Sequence, residues 1–251
     1  MNFLELWKIE WMKVKRSKMI PLIFVAPLLV VVSGIANLSS YFTPEYTNAW
    51  AAMFIQSALL YAYYLLPFSM IVVCVMLKGR ETQNNGMTKM LTLPIKPYLL
   101  SLAKFCVLMG YLFLEMLIFL IVFVTAGVVA TYITGIEETL PAGYLLRWCV
   151  VLFLSMLPGM AVMWAITVLF EKALFSVGLN ILLVIPGLLA AVTPVWYLYP
   201  YCYSGYLVSC SLHEFTDGGA ADTLELFPFL ACAVLIFIVA LGVSMAGIRK
   251  K

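Results

Sequence analysis

Phe105-Cys-Val-Leu-Met-Gly110-Tyr-Leu-Phe-Leu-Glu115-Met-Leu-Ile-Phe-Leu120-Ile-Val-Phe-Val-Thr125-Ala-Gly-Val-Val-Ala130-Thr-Tyr-Ile133 carries one charge, Glu115, in an otherwise unbroken uncharged run. A hydrocarbon core of about 30 Å takes roughly 20 helical residues, so a run of this kind reads as a membrane span. Outward from it, the same reading marks spans at 19–37, 54–77, 105–133, 144–170, 173–193 and 226–248. The expected fold is an all-α integral membrane protein of six transmembrane helices, one domain over 1–251. With 65% hydrophobic and 11% charged residues the chain is too apolar for an ordinary soluble domain.

Charge sets the orientation. Of the 15 Lys and Arg residues, all but Arg147 fall in four segments: the N-terminus (Lys8, Lys13, Lys15, Arg16, Lys18), the stretch from Lys78 to Lys104, a break at Lys172, and Arg249, Lys250 and Lys251. Basic residues near span ends stay on the cytoplasmic side, and six crossings put both termini there too. The opposite side carries Glu45, Glu137, Glu138, Glu214, Asp217, Asp222 and Glu225. That distribution excludes a nucleic-acid partner. The boundary resting on least is the one between the fourth and fifth spans, where only Glu171-Lys172 interrupts the run. The first apolar run follows a charge-rich stretch with no small-residue cleavage pattern after it, so a cleaved signal peptide is not expected.

Residues 3–18 read as an amphipathic helix in the interface plane, with Phe3, Trp7, Trp11 and Val14 on one face. Glu10 falls inside that face by helical angle and reads either as an i,i+3 partner of Lys13 or as a polar contact with a cytoplasmic partner. The outside segment Pro194-Val-Trp196-Tyr-Leu-Tyr199-Pro200-Tyr-Cys-Tyr203 reads first as an interfacial belt or short re-entrant helix. Its second reading makes Trp196, Tyr199 and Tyr203 an outer rim for an amphipathic cargo. Cys202 and Cys210, on the same side, are two free thiols or one disulfide. Pro158-Gly159 and Pro186-Gly187 can loosen their helices, and Gly242 with Ala246 offers a small-residue packing face.

Between the second and third spans the chain reads Lys78-Gly-Arg80-Glu81-Thr-Gln-Asn-Asn-Gly86-Met-Thr-Lys89-Met90-Leu91-Thr-Leu93-Pro94-Ile95-Lys96-Pro97, continuing to Lys104. A short helix, Met87 to Leu93, is expected between Gly86 and Pro94. It shows Met87, Met90, Leu91 and Leu93 to its surroundings, more apolar surface than a simple loop needs.

The run Glu81, Gly86, Lys89, Leu91, Leu93-Pro94, Lys96 and Lys104 resembles the cytoplasmic loop of ABC-2-type permeases, and Phe3-Leu4, Glu10, Lys13 and Lys15-Arg16-Ser17 resemble the opening of their lantibiotic-immunity members. The resemblance covers the whole chain as architecture and residues 3–17 and 81–104 as motif. It implies a bacterial cell-membrane permease that expels a lantibiotic-type peptide. It makes Met87, Met90, Leu91 and Leu93 a coupling helix on a separate ABC ATPase subunit, present in two copies, with Glu81 and Lys89 as polar contacts. It also implies a second permease, identical or a sister chain. The chain has no phosphate loop of its own, so it holds no cofactor, and ATP and Mg would be bound by the partner.

Other classes fit less. Glu137-Glu138 with Arg147 lacks the spacing of an intramembrane protease, and the sole histidine, His213, lies in an outside loop; neither a catalytic nor a metal site is expected. An ABC-2 permease for another hydrophobic or amphipathic cargo and a secondary transporter working through Glu115 are the alternatives. Glu115 is the one acid deep in a span, about ten residues or roughly 15 Å from its cytoplasmic end. An intramembrane carboxyl faces the bundle interior by default, either as part of a translocation path or as a neutral group hydrogen-bonded to a neighbour such as Gln56, Asn180 or a tyrosine.

Overall fold

The computed structural model describes residues 3–15, 19–36, 49–82, 96–134, 142–216 and 226–249, and every regular element among them is helical. They are α1 (Phe3–Lys15), α2 (Leu22–Ala36), α3 (Ala49–Leu60), α4 (Leu66–Thr82), α5 (Pro97–Thr134), α6 (Ala142–Leu169), α7 (Ala173–Val184), α8 (Gly187–Ala191), α9 (Tyr203–Thr216) and α10 (Leu226–Arg249). A π-helical segment, Tyr61–Leu65, joins α3 to α4. A 3₁₀ turn, Trp196–Leu198, precedes α9.

Among the described residues, five helices are long and apolar enough to cross a membrane: Ser57–Arg80, Pro97–Val129, Ala142–Leu169, Ala173–Ala191 and Leu226–Ile248. The expected first span, 19–37, corresponds to α2, whose apolar part Leu22–Ser33 is shorter than the rest. Its 15 residues reach about 22 Å at roughly 1.5 Å per residue, so a sixth crossing does not follow from helix length. The charged break between the fourth and fifth expected spans is real. α6 ends at Leu169, Lys172 is extended (φ −75°, ψ 117°), and its carbonyl accepts the Ser176 N–H to open α7.

Several helices outrun their apolar cores. α5 starts at Pro97, well before the expected Phe105, because proline at the first helical position has the right φ and no N–H to leave unpaired. Long charged side chains are good helix formers, so Lys78 and Arg80 extend α4 and Lys104 lies inside α5.

The π segment has a traceable cause. Leu66 N–H reaches back to Tyr61 O, one residue further than in an α-helix, and Pro67 has no N–H to offer the next carbonyl. The Ala62 carbonyl is served from outside instead: Ser204 Oγ at the start of α9 donates to it at 2.9 Å. Around this point α3, α5 and α6 pack through aromatic rings. Tyr61 stacks on Phe119 (centroids 4.6 Å apart, 4° between planes), and Phe54 meets Phe119, Phe123 and Tyr144 edge-on.

The face of α1 turned toward α5 centres on Leu6 and Glu10, both buried, with Trp11 of the expected aromatic face half-buried and Trp7 of that face 40% exposed. Pro158 leaves α6 continuous, whereas Ile185-Pro186 forms the turn between α7 and α8. Gly242 has open space where a Cβ would stand and Ala246 is exposed, so among the described residues that small-residue face has no partner.

Candidate functional site

Two lysines flank the connection between α4 and α5. Lys104 Nζ lies 2.8 Å from Glu10 Oε2, with both side chains buried, and Lys13 Nζ sits 2.5 Å from Glu10 Oε1 at the protein surface. Burial alone would raise the Glu10 carboxyl, but the charge and hydrogen bond of Lys104, helped by Lys13, outweigh it and hold Glu10 below its usual value. Trp11 completes the contact. Its ring lies against Gly110, where a Cβ would come within 2.5 Å of it, and 6.3 Å centroid to centroid from Tyr111. Only glycine admits that approach.

On the other side, Lys78 reaches from the last turns of α4 to the end of α6, donating to Thr167 O at 2.6 Å and to Phe170 O. An ammonium there meets carbonyls left without helical N–H partners.

Glu115 is fully buried in α5, and among the described residues its polar partners are the hydroxyls of Tyr61 and Ser69. Tyr61 donates to Oε1 at 3.3 Å, and Ser69 Oγ lies 2.7 and 2.9 Å from the two carboxyl oxygens. Ser69 Oγ also stands 2.8 Å from Leu66 O, which can only accept. One hydroxyl proton does not serve three acceptors. The count closes when Glu115 is the neutral acid and donates to Ser69, while Ser69 donates to Leu66 O. Tyr61 and Ser69 lie on either side of the Pro67 irregularity, so Glu115 bridges the point where α3 passes into α4.

The aromatic segment after α8 turns back into the bundle. Tyr201 OH donates to Asn180 Oδ1 at 3.2 Å, and Tyr199 OH donates to Leu183 O. Pro200 O fits against Gly159 in the middle of α6, 3.1 Å from where a Cβ would be. Trp196 and Tyr203 are buried and Tyr199 half-buried; Trp196 stacks on Tyr206 (3.9 Å) and packs on Phe229. Their rings spend their surface on one another and on α10. Cys202 and Cys210 are free thiols, with Cys202 Sγ on the carbonyls of Tyr199 and Trp196.

Of the residues singled out for contact with a partner, Glu81 lies on the last turn of α4, while Met87, Lys89, Met90, Leu91 and Leu93 fall outside the described residues. The structure adds residues that local pattern did not mark. Lys78 and Ser69 look ordinary in sequence, and Ser204 is read only through the proline opposite it. Glu115 meets a tyrosine, one of the partners anticipated for it, together with Ser69; Asn180 instead pairs with Tyr201 and donates to Ser176 O.

The family model described as ABC-2 family transporter protein matches residues 6–187, from within α1 to the start of α8. No curated protein matches the chain.

Proposed function

The chain belongs to the ABC-2 transporter family and is a multi-pass membrane permease of an ABC transporter, and from that premise we propose that a separate ATPase drives it through residues 81–93. The observation that carries this reading is the family match itself, whose bounds, residues 6–187, enclose the connection between α4 and α5. In this reading Met87, Met90, Leu91 and Leu93 seat in a groove of the ATPase, with Glu81 and Lys89 as polar contacts. ATP and magnesium are held by that partner, in two copies. Two permease chains, identical or sister, enclose the path, in a bacterial cell membrane with both termini cytoplasmic. Closure of the ATPase pair on ATP draws the two connections together and changes access to the space between the permeases.

The cargo is an amphipathic molecule expelled from the membrane, and by resemblance of residues 3–17 a lantibiotic-type peptide. A cationic peptide suits the acidic outer segments, which carry Glu137, Glu138, Glu214 and Asp217. Supporting that, the outer aromatic segment packs inward and leaves no bulky outer domain among the described residues.

Replacing Met90 and Leu91 together with Asp tests the docking. Two carboxylates desolvated in an apolar groove weaken association while insertion proceeds normally. The variant is expected in the membrane at wild-type amount but without the ATPase after purification in mild detergent. Normal co-purification and full ATP-dependent peptide resistance would overturn the assignment.

A further inference from the structure

The helices entering and leaving the connection 83–95 are pinned by lysines to different parts of the bundle. On the returning side Lys104 ties α5 to Glu10 of α1. On the outgoing side Lys78 ties α4 to the carbonyls of Thr167 and Phe170. These carbonyls sit at a turn with little slack. Phe170 N–H closes on Ile166 O, the Ser176 N–H closes on Lys172 O, and only residues 170–172 separate α6 from α7. Ser176 Oγ donates to Thr167 Oγ1 at 3.1 Å, and Thr167 Oγ1 donates in turn to Met163 O, so the first turn of α7 is fastened to the last of α6. A small cavity of about 20 Å³ lies among Val75, Lys78, Thr167, Glu171 and Ser176.

We propose that Lys78 is a positioning residue for transport: it makes the last turn of α4 and the α6–α7 turn one rigid unit. A displacement delivered after α4 then carries α6 and α7 with it rather than bending α4 alone. Lys78 touches neither nucleotide nor cargo and acts through the carbonyls it holds. Farther along, the same two helices contact the inturned segment, through Gly159 against Pro200 and Asn180 with Tyr201. Ser204 joins that segment back to Ala62 at the π segment. Movement at the cytoplasmic turn thus has a packed route to the opposite end of the bundle. The inference rests on the reading that an ATPase docks on residues 87–93, but the clamp itself can be tested without the ATPase.

The experiment places spin labels at Arg80 and Lys172, both exposed, in a cysteine-free chain in lipid nanodiscs. Electron-electron distance measurements are expected to give one narrow distribution for the wild-type background. Lys78→Met keeps side-chain length but removes the charge and the donors, and should broaden it; Lys78→Arg should restore it. Lys78→Gln gives the same reading as Lys78→Met should the methionine variant not fold. With the co-purified ATPase, trapping by ATP, magnesium and vanadate should leave the wild-type distance unchanged and shift it in Lys78→Met, with ATPase binding and hydrolysis retained. A distribution in Lys78→Met as narrow as wild type, or a wild-type distance that changes on trapping, would overturn the proposal. Failure of docking alone would appear in the Met90 and Leu91 variant, not in the ATPase-free distances.

Discussion

Glu10 Oε2 and Lys104 Nζ stand 2.8 Å apart with both side chains withdrawn from solvent, joining the first helix of the chain to the helix that follows the α4–α5 connection. Neither residue would be tolerated there alone, because an isolated buried charge is expensive and one partner compensates the other. The pair therefore specifies how α1 is rotated. A rotation that turned Glu10 away from α5 would take from Lys104 the carboxylate it meets. Trp11 against Gly110 reinforces the same rotation by shape.

Breaking this pair from one side should be far worse than replacing it whole. Glu10→Ala is expected to cost about 3–5 kcal/mol, because Lys104 is left charged in the interior. Glu10→Met combined with Lys104→Met should recover most of that loss, and thermal unfolding in detergent measures both. The pH dependence has a definite sign. Glu10 is held below the ordinary glutamate value of 4.5, so its contribution is complete above that value and is lost as pH falls through the lower folded one. The Glu10→Met, Lys104→Met variant should lack this component of acid destabilisation.

Ser204 offers a second test, because its hydroxyl answers a deficit created by Pro67. Ser204→Ala strands the Ala62 carbonyl and should destabilise by about 1–3 kcal/mol. Pro67→Ala in the same chain supplies a backbone N–H, and the double variant should be less destabilised than the sum of the single ones. Additive costs in thermal unfolding would show that the two positions act separately.

Crossing by α2 is decided by which side its neighbours face. Single cysteines at Glu5, Arg80 and Ala142 in an otherwise cysteine-free chain are exposed to a membrane-impermeant thiol reagent in intact cells. Only Ala142 is expected to label from outside, since α2 together with α3–α4 makes two crossings between Glu5 and Arg80. Labelling at Glu5 but not Arg80 would leave α2 on one side of the membrane and reduce the crossings to five.

The parts of this structure legible in the sequence are those settled by local composition. The long apolar run holding Glu115 and the break at Glu171-Lys172 both appear as helix and turn where they were read. Helix ends were less legible, because Lys78, Arg80 and Lys104 mark the end of an apolar run without ending a helix. The rotation of α1 was hidden for another reason: the group that turns Glu10 inward is 94 residues away. Likewise the inturned 199–204 segment fits closely against Gly159, a match between distant positions. Around Glu115, a lone acid in a span announced itself. Its serine partner did not, since nothing local separates Ser69 from any other helical serine.

Glu115 carries the prediction on which two functional readings diverge. In one closing proton count at Ser69, Glu115 is a neutral acid fastening α5 to both sides of the π segment. Glu115→Gln keeps the size, a donor for Ser69 and an acceptor for Tyr61, and should preserve assembly and transport. Glu115→Leu strands the tyrosine hydroxyl and should destabilise the bundle by about 1–3 kcal/mol. Infrared difference spectra between wild type and Glu115→Gln should show the carbonyl stretch of a protonated acid only in the wild type. A carboxylate that meets a cationic cargo or carries a proton behaves otherwise. In that case Gln would abolish transport while expression, thermal stability and ATPase binding stayed normal. Stability and transport measured together therefore separate the readings: parallel loss in Leu with full function in Gln marks a fastening, and selective loss of transport in Gln marks a place on the translocation path.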